Sequence, residues 1–333
     1  MTFISTRADF PCENPQFALI LSNSLVSTIK GVSGAGENPE SSLMVPPLDA
    51  ELIINGKLSG DLTPNTPTGC PTPASITLSM MDLTKITPVM ISSGLKYLPT
   101  VPHFALGENA GGDPREGDAV PNAGALYEKG KWLGKYFSKT CDLLVLGECL
   151  PGGTTTALCV LRALGYNAKV SSCLVENPVS LKEEIAAEAL EKVRGITDPL
   201  EIVSKIGDPM IPVAAGIAAT YKGKLFFAGG TQMLASAAVS RALGTAVPDV
   251  VTTVYVVEDN SASFKETAAA IGADIYYVDP EFDTIGHEGL SRYAKGEIKE
   301  GSGAGGAMFL AAILGYPPEL IRDCIKEHVN RYA

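Results

Sequence analysis

Positive charge is scarce in this chain. Lys and Arg number 26 against 37 Asp and Glu, giving a formal net charge of −11, and only 19% of residues are charged, below the roughly 25% of ordinary soluble domains. No dense group of Lys and Arg occurs, which argues against a nucleic-acid partner, since phosphate backbones recruit such groups. Histidine is limited to three residues, and the seven cysteines (Cys12, Cys70, Cys141, Cys149, Cys159, Cys173, Cys324) form no C-x-x-C pair and no Cys/His group at zinc spacing. A reduced, intracellular chain with no structural metal and no cofactor is expected. The longest early apolar run, Phe17 to Leu21, is far too short to cross a bilayer. The opening residues, with Arg7 and Asp9, lack the charged-then-apolar layout of a signal peptide, so the expected location is the cytoplasm, without a membrane partner.

What the chain has is a large apolar share, 45%, with 34 glycines and 23 prolines in 333 residues. That combination suits a well-buried α/β protein with many tight strand-to-helix turns. Strands are expected at Phe17–Ser22, Ala50–Asn55, Pro88–Ser93, Asp142–Leu146, Ala168–Leu174, Lys224–Ala228, Val250–Val257 and Asp274–Val278. Helices are expected at Ala74–Leu83, Ala123–Lys139, Thr155–Leu164, Ser180–Arg194, Ile211–Tyr221, Thr231–Leu243, Ala262–Ile271, Gly303–Leu314 and Pro317–Tyr332. Ser180 with Glu183 reads as a capping box. The stretch from Gly31 to Pro73 is broken by glycines and prolines, and His103 to Asp118 reads as a second glycine- and charge-rich loop. Alternation at this spacing predicts a mostly parallel, Rossmann-like sheet with helices on both faces.

Ligands of open α/β sheets sit beyond the carboxyl ends of the strands, so the loops there carry the functional argument. Gly147-Glu148-Cys149-Leu150-Pro151-Gly152-Gly153-Thr154-Thr155 follows an apolar strand and opens a helix. Glycines that admit close approach, together with a helix N-terminus, make an anion site. The spacing Gly147-x-x-x-x-Gly152 is that of a Walker A loop with glycine, Gly153, in the lysine position, which points to phosphate binding without triphosphate hydrolysis. Ala228-Gly229-Gly230-Thr231-Gln232 repeats the strand, two glycines, threonine, helix order. Glu258-Asp259-Asn260-Ser261 and Ile206-Gly207-Asp208-Pro209 are two further candidate loops. Each has a bland alternative: a tight turn for the glycines, a solvated loop for Glu258 and Asp259, and a small turn-filling residue for Cys149.

The fifth loop, Lys299-Glu300-Gly301-Ser302-Gly303-Ala304-Gly305-Gly306, sets a carboxylate before a run of tiny residues. A helix that opens with so little side chain admits a flat ligand close to its backbone, and a carboxylate shielded there is suited to act as a general base. The alternative is a glutamate that merely favours the helix dipole.

Taken together and in order, these loops resemble those of the nicotinate-nucleotide:dimethylbenzimidazole phosphoribosyltransferases of cobamide (vitamin B12) lower-ligand assembly, most closely an archaeal and cyanobacterial branch. The resemblance runs through Gly31-Val-Ser-Gly-Ala-Gly, Pro46-Pro-Leu-Asp-Ala-Glu-Leu-Ile, Gly111-Gly-Asp-Pro-Arg-Glu-Gly, the Gly147 loop, Val203-Ser-Lys-Ile-Gly-Asp-Pro-Met-Ile-Pro, Ala228-Gly-Gly-Thr-Gln-Met and the Glu300 loop. Relative to the bacterial Gly-Glu-Met-Gly-Ile-Gly-Asn-Thr-Thr, this chain has Cys149, Pro151 and Gly153 in place of Met, Ile and Asn.

The resemblance implies transfer of ribose 5-phosphate from nicotinate mononucleotide to an azole base, with inversion at C1′. It implies Glu300 as catalytic base, and Gly147, Glu148, Gly152, Gly153, Thr154, Thr155, Gly229 and Gly230 around the phosphate and ribose. Glu258 and Asp259 become further candidates for ribose contact, and Ser33, Gly34, Ser302 and Gly303 for the base pocket. It also implies a homodimer, and a large domain over residues 75–300 with a small helical domain built from 1–74 and 301–333. Two other readings stay open on the residues alone: a non-catalytic ribotide or nucleotide sensor, and a P-loop-like kinase lacking its lysine.

Overall fold

A computed structural model of the chain describes residues 2–6, 10, 12–59, 62–66 and 68–332; Met1, Arg7 and Asp9 of the N-terminal stretch lie outside them. Seven strands are present among the described residues: β1 Pro15–Leu21, β2 Val89–Ser93, β3 Phe104–Gly107, β4 Leu143–Cys149, β5 Lys224–Ala228, β6 Asp249–Thr253 and β7 Ile275–Val278. The helices are α1 Val45–Asn55, α2 Pro73–Thr84, α3 Ala123–Phe137, α4 Gly153–Ala163, α5 Val179–Lys192, α6 Pro199–Ile206 and α7 Met210–Thr220. After these come α8 Thr231–Ala242, α9 Val254–Val257, α10 Phe264–Ile271, α11 Glu288–Ala294, α12 Ala304–Ile313 and α13 Pro318–Asn330.

The strands form one parallel sheet in the order β3-β2-β1-β4-β5-β6-β7. Strand order reverses between β1 and β4, which opens a crevice at their carboxyl ends, the place where such sheets take ligands. Alternation along each strand divides the core. Ala18, Ile20, Leu144 and Leu146 face one hydrophobic cluster, built with α3 to α8 and α10. Phe17, Leu19, Leu143 and Val145 face the other, built with α1, α2, α12 and α13.

These last four helices pack on one another, and α2 lies mostly outside the expected small-domain segments 1–74 and 301–333. The expected boundary at residue 75 separates β1 from β2 and β4, the strands it pairs with in the sheet.

Several expectations need correction. Residues 50–55 are helical, not a strand: Pro46 and Pro47 fall in the first turn of α1, where proline's missing N–H and fixed φ are tolerated. Ala168 to Leu174 forms no strand. Its carbonyls are taken by side chains instead, Val170 by Asn177 Nδ2, Ser171 by Lys182 Nζ and Ser172 by Lys299 Nζ. The stretch expected as one strand to Val257 ends at Thr253 and turns into α9. Part of the His103–Asp118 loop is the edge strand β3, and α6 and α11 were not expected. No capping box forms at α5, whose N-cap is Pro178; Glu183 instead pairs with Arg162 at 2.9 Å.

The helix α12 lies directly on the sheet. A Cβ on Gly306 would come within 2.3 Å of Ala228 Cβ and 2.8 Å of Val145 Cγ1, and one on Gly305 within 2.6 Å of the Thr252 carbonyl carbon. Gly306→Ala is therefore expected to destabilise the fold by about 1–3 kcal/mol through overpacking. Urea unfolding checks this; an unchanged midpoint would mean that α12 does not sit this close.

Candidate active site

The crevice at the switch point contains a cavity of about 470 Å³. Its floor begins with the loop from β4 to α4. Gly152 adopts φ +77° and has Ser27 N 2.9 Å from where a Cβ would stand, so the turn requires glycine. Gly153 leaves room for Gln232, whose Nε2 donates to the Leu150 carbonyl at 2.8 Å. That bond ties the start of α8 to the start of α4. Gly153 and Thr154 from one helix and Gly230, Thr231 and Gln232 from the other line the same cavity. First-turn N–H groups have no partner within their helix, and two positive helix ends converge here. The hydroxyl of Thr231 is buried and has no hydrogen-bond partner.

Four carboxyl groups stand here: the buried Glu148 and Asp49 and the half-buried Glu300 line the cavity, and the buried Asp208 lies behind it. Glu300 accepts from the N–H groups of Gly301 at 3.1 Å and Gly305 at 3.1 and 3.2 Å. A Cβ on Gly305 would lie 2.5 Å from Glu300 Oε2, so this grip depends on glycine. Burial pushes Glu300 up to about 7, against the pull of those N–H groups. Glu148, at the end of β4, is pushed up to about 8 by burial first and then by the charges of Glu300 and Asp208.

Asp208 accepts from Thr156 Oγ1 at 2.6 Å and from the N–H groups of Met210 and Ile211 at 3.1 and 3.2 Å. Burial raises it to about 6. Asp49, on α1, is raised to about 6 by burial, opposed by hydrogen bonds from Ser302, Cys149 and Thr72. None of the four has an ion-pair partner within 4 Å among the described residues. An anionic phosphate fits the helix ends, and a ligand portion that gains positive charge fits the carboxylates.

Of the residues singled out from the sequence, Glu148, Gly152, Gly153, Thr154, Gly230, Glu300, Ser302, Ser33 and Gly34 line the cavity. Gly147, Thr155, Gly229 and Gly303 stand behind that lining. Gly147 and Gly303 are packed so closely that a Cβ on either would come within 3.0 Å of the other's Cα. Gly229 makes room for Glu148, and Thr155 is buried in α4.

Glu258 is exposed. Asp259 does not line the cavity: it accepts from Ser171 Oγ at 2.6 Å and from Ser261, and lies 3.5 Å from Lys299 Nζ. Sequence reasoning left Asp49 and Asp208 out of the site. Asp208 stood in a noted loop, whereas Asp49 was hidden in a helix read as a strand. The Gly31–Pro73 stretch supplies one whole wall, including Val45, Leu48, Leu52 and Leu58.

No family model matches the chain. Among curated proteins, a UPF0284 protein of Thermococcus gammatolerans is 41% identical over 325 residues, spanning 95% of this chain and 97% of that protein. A UPF0284 protein of Methanosarcina mazei is 40% identical over 336 residues, spanning 97% and 96%. Two solved structures from Thermus thermophilus share the fold. One is of CobT (TM-score 0.63, 14% identity, 96% of this chain and 84% of that one). The other is of a nicotinate-nucleotide-dimethylbenzimidazole phosphoribosyltransferase (TM-score 0.62, 16% identity, 97% and 84%).

Carboxyl groups raised in the folded state make stability depend on pH. Between the unfolded value near 4 and the folded values of about 6 to 8, the folded chain holds more protons than the unfolded one. Stability is then full at low pH and falls as pH rises through that window. The unliganded protein is expected to lose on the order of a few kcal/mol between pH 5 and pH 8.5, and Glu148→Gln to flatten the slope. Denaturant unfolding across this range checks it; stability that rises with pH would contradict the buried, unpaired acids.

Proposed function

We propose that this chain, which belongs to the UPF0284 family, is a phosphoribosyltransferase that moves ribose 5-phosphate from nicotinate mononucleotide to an azole base. The product is an α-ribotide phosphate for a cobamide lower ligand, and nicotinate leaves. The observation that carries the proposal is Glu300, a half-buried carboxyl raised to about 7 on the same cavity as two converging helix N-termini. The shared fold with the two Thermus structures supports it.

In this reading the 5′-phosphate rests on the first turns of α4 and α8, with Gly152, Gly153, Thr154, Gly230 and the free hydroxyl of Thr231 around it. That anchor fixes C1′ through binding energy remote from the reacting bond. The unprotonated ring nitrogen of the base attacks C1′. The C1′–N bond to the pyridinium breaks, its electron pair goes to nicotinate nitrogen, and C1′ inverts. Glu300 takes the proton from the other ring nitrogen, so the ribotide leaves neutral at the azole. A carboxylate raised to about 7 is matched to that task near neutral pH. Glu148, pushed up to about 8 and so mainly protonated near neutral pH, contacts the ribose through a hydrogen bond. The working unit is a cytoplasmic homodimer.

The test is purified protein with nicotinate mononucleotide and a panel of azoles, with products identified by mass. Glu300→Gln is expected to lower kcat by about 10²- to 10⁴-fold while nicotinate mononucleotide still binds. Full turnover in that variant removes Glu300 from its role. Tight binding without turnover across the panel identifies a ribotide sensor instead.

A further inference from the structure

We infer that Asp49 selects the acceptor, favouring a bicyclic azole that carries a hydrogen-bond donor, an amino or hydroxyl group, on the ring remote from the attacking nitrogen. This rests on the transfer proposed above and names the class of base it uses. Val45, Leu48, Asp49 and Leu52 fall at i, i+3, i+4 and i+7 of α1, which puts them on one helix face. All four line the cavity. The wall is thus an apolar stripe with a single carboxylate in its middle, the complement of a flat, mostly apolar ring with one polar substituent.

The carboxylate is held but not saturated. Its Oδ2 accepts from Ser302 Oγ at 2.5 Å and from Cys149 Sγ at 3.3 Å. Among the described residues its Oδ1 accepts only from Thr72 Oγ1, at 3.3 Å, well beyond the usual O–H···O length of about 2.7–2.8 Å. No cation pairs with it among the described residues, and the side chain is nearly out of water, at 6% exposure.

A methyl-bearing ring seated here would cover Oδ1 without answering it, and a buried acceptor left unsatisfied opposes binding. A donor on the ring answers it. Through Ser302, two residues after Glu300, Asp49 is tied to the loop that bears the base catalyst. Glu300 then reads the azole N–H and Asp49 the substituent, so the pair fixes the orientation of the ring and which nitrogen attacks.

The experiment compares an amino-substituted and a dimethyl-substituted benzimidazole in the full-length protein. Transfer is measured from nicotinate mononucleotide as kcat/KM, and equilibrium binding of each base is measured separately. The wild type is expected to favour the amino base by about tenfold or more, since sites built around a polar partner reject analogues that lack it.

Asp49→Leu should remove that preference, read as the ratio of the two bases' KM values, while loss of the Ser302 contact lowers kcat on both bases alike. Asp49→Asn, which keeps the bond from Ser302, should lower the preference while leaving thermal stability close to wild type. A wild-type preference for the dimethyl base, or an equal loss on both bases in the Asn variant, overturns the assignment. Failure of the amino base to bind overturns it too. Transfer with no discrimination between the bases sinks the role of Asp49 alone. An Asp49-dependent binding preference with no ribotide formed from any base sinks the transfer and leaves Asp49 as the selector of a bound azole.

Discussion

The contact between α12 and the sheet sets the geometry of everything at the carboxyl edge. Helices usually stand off a sheet by the depth of their side chains, but Gly305 and Gly306 remove that depth where α12 crosses Thr252, Val145 and Ala228. The preceding turn follows the helix down, and Gly303 meets Gly147 backbone to backbone. Glu300 is thereby carried from near the other end of the chain to the end of β4, beside Glu148. A larger residue at Gly303, Gly305 or Gly306 would lift the turn and withdraw the carboxylate from the cavity. The run of tiny residues that looks like an invitation to a flat ligand is first a packing device, and the ligand space lies beside it.

Burying Asp49, Glu148 and Asp208, and half-burying Glu300, with no paired cation among the described residues is costly, and the fold meets that cost in two ways. Asp208 caps α7 and takes the Thr156 hydroxyl, and Glu300 takes two backbone N–H groups, so polar partners replace part of the lost water. The rest is expressed as raised proton affinity, largest at Glu148, which has the neighbouring charges of Glu300 and Asp208 to oppose it. The nearby cations are committed elsewhere. Lys299 reaches the carbonyls of Ser172 and Leu174 and pairs with Asp259, while Lys182 holds the Ser171 carbonyl. Withholding those amines leaves the carboxylates uncompensated, while the first turns of α4 and α8 line another part of the same cavity.

Much of the sheet is legible in the sequence because its strands are short apolar runs closed by glycine. The strand Lys224–Ala228 has the bounds its sequence suggests, and the turn through Gly229 and Gly230 locates α8. The misreadings share a cause: a local signal is overruled by a partner distant in sequence. Pro46 and Pro47 look like breakers, yet they start α1, and without that helix the stripe Val45, Leu48, Asp49, Leu52 has no face to belong to. Residues 168–174 have strand composition, but buried amines from Lys182 and Lys299 claim the carbonyls a ladder would use. Asp259 follows a strand, as a substrate-binding acid would, and only the fold reveals that Lys299 and Ser171 occupy it. Glu148 and Glu300 can be singled out because glycines flank them, and glycine in a sequence marks close approach.

The loop that bears Glu300 is also where the backbone is most strained. Ile298 and Ser302 both adopt left-handed φ, +52° and +48°, a region that side chains disfavour and a β-branched residue especially so. Each such residue costs on the order of 1–3 kcal/mol and persists only where its surroundings over-determine it. Here they do. Ile298 N donates to the Cys173 carbonyl at 3.0 Å, Thr253 Oγ1 to the Lys299 carbonyl at 2.5 Å, Thr77 Oγ1 to the Ser302 carbonyl at 2.8 Å, and Ser302 Oγ to Asp49. The partners come from the rim loop, β6, α2 and α1 in turn, so separate parts of the chain hold this one short turn in place. A base that must meet a moving proton benefits from being fixed before the substrate arrives. The strain at Ile298 and Ser302 is the structural trace of that fixing, and the bond from Ser302 Oγ joins the turn to Asp49 on α1.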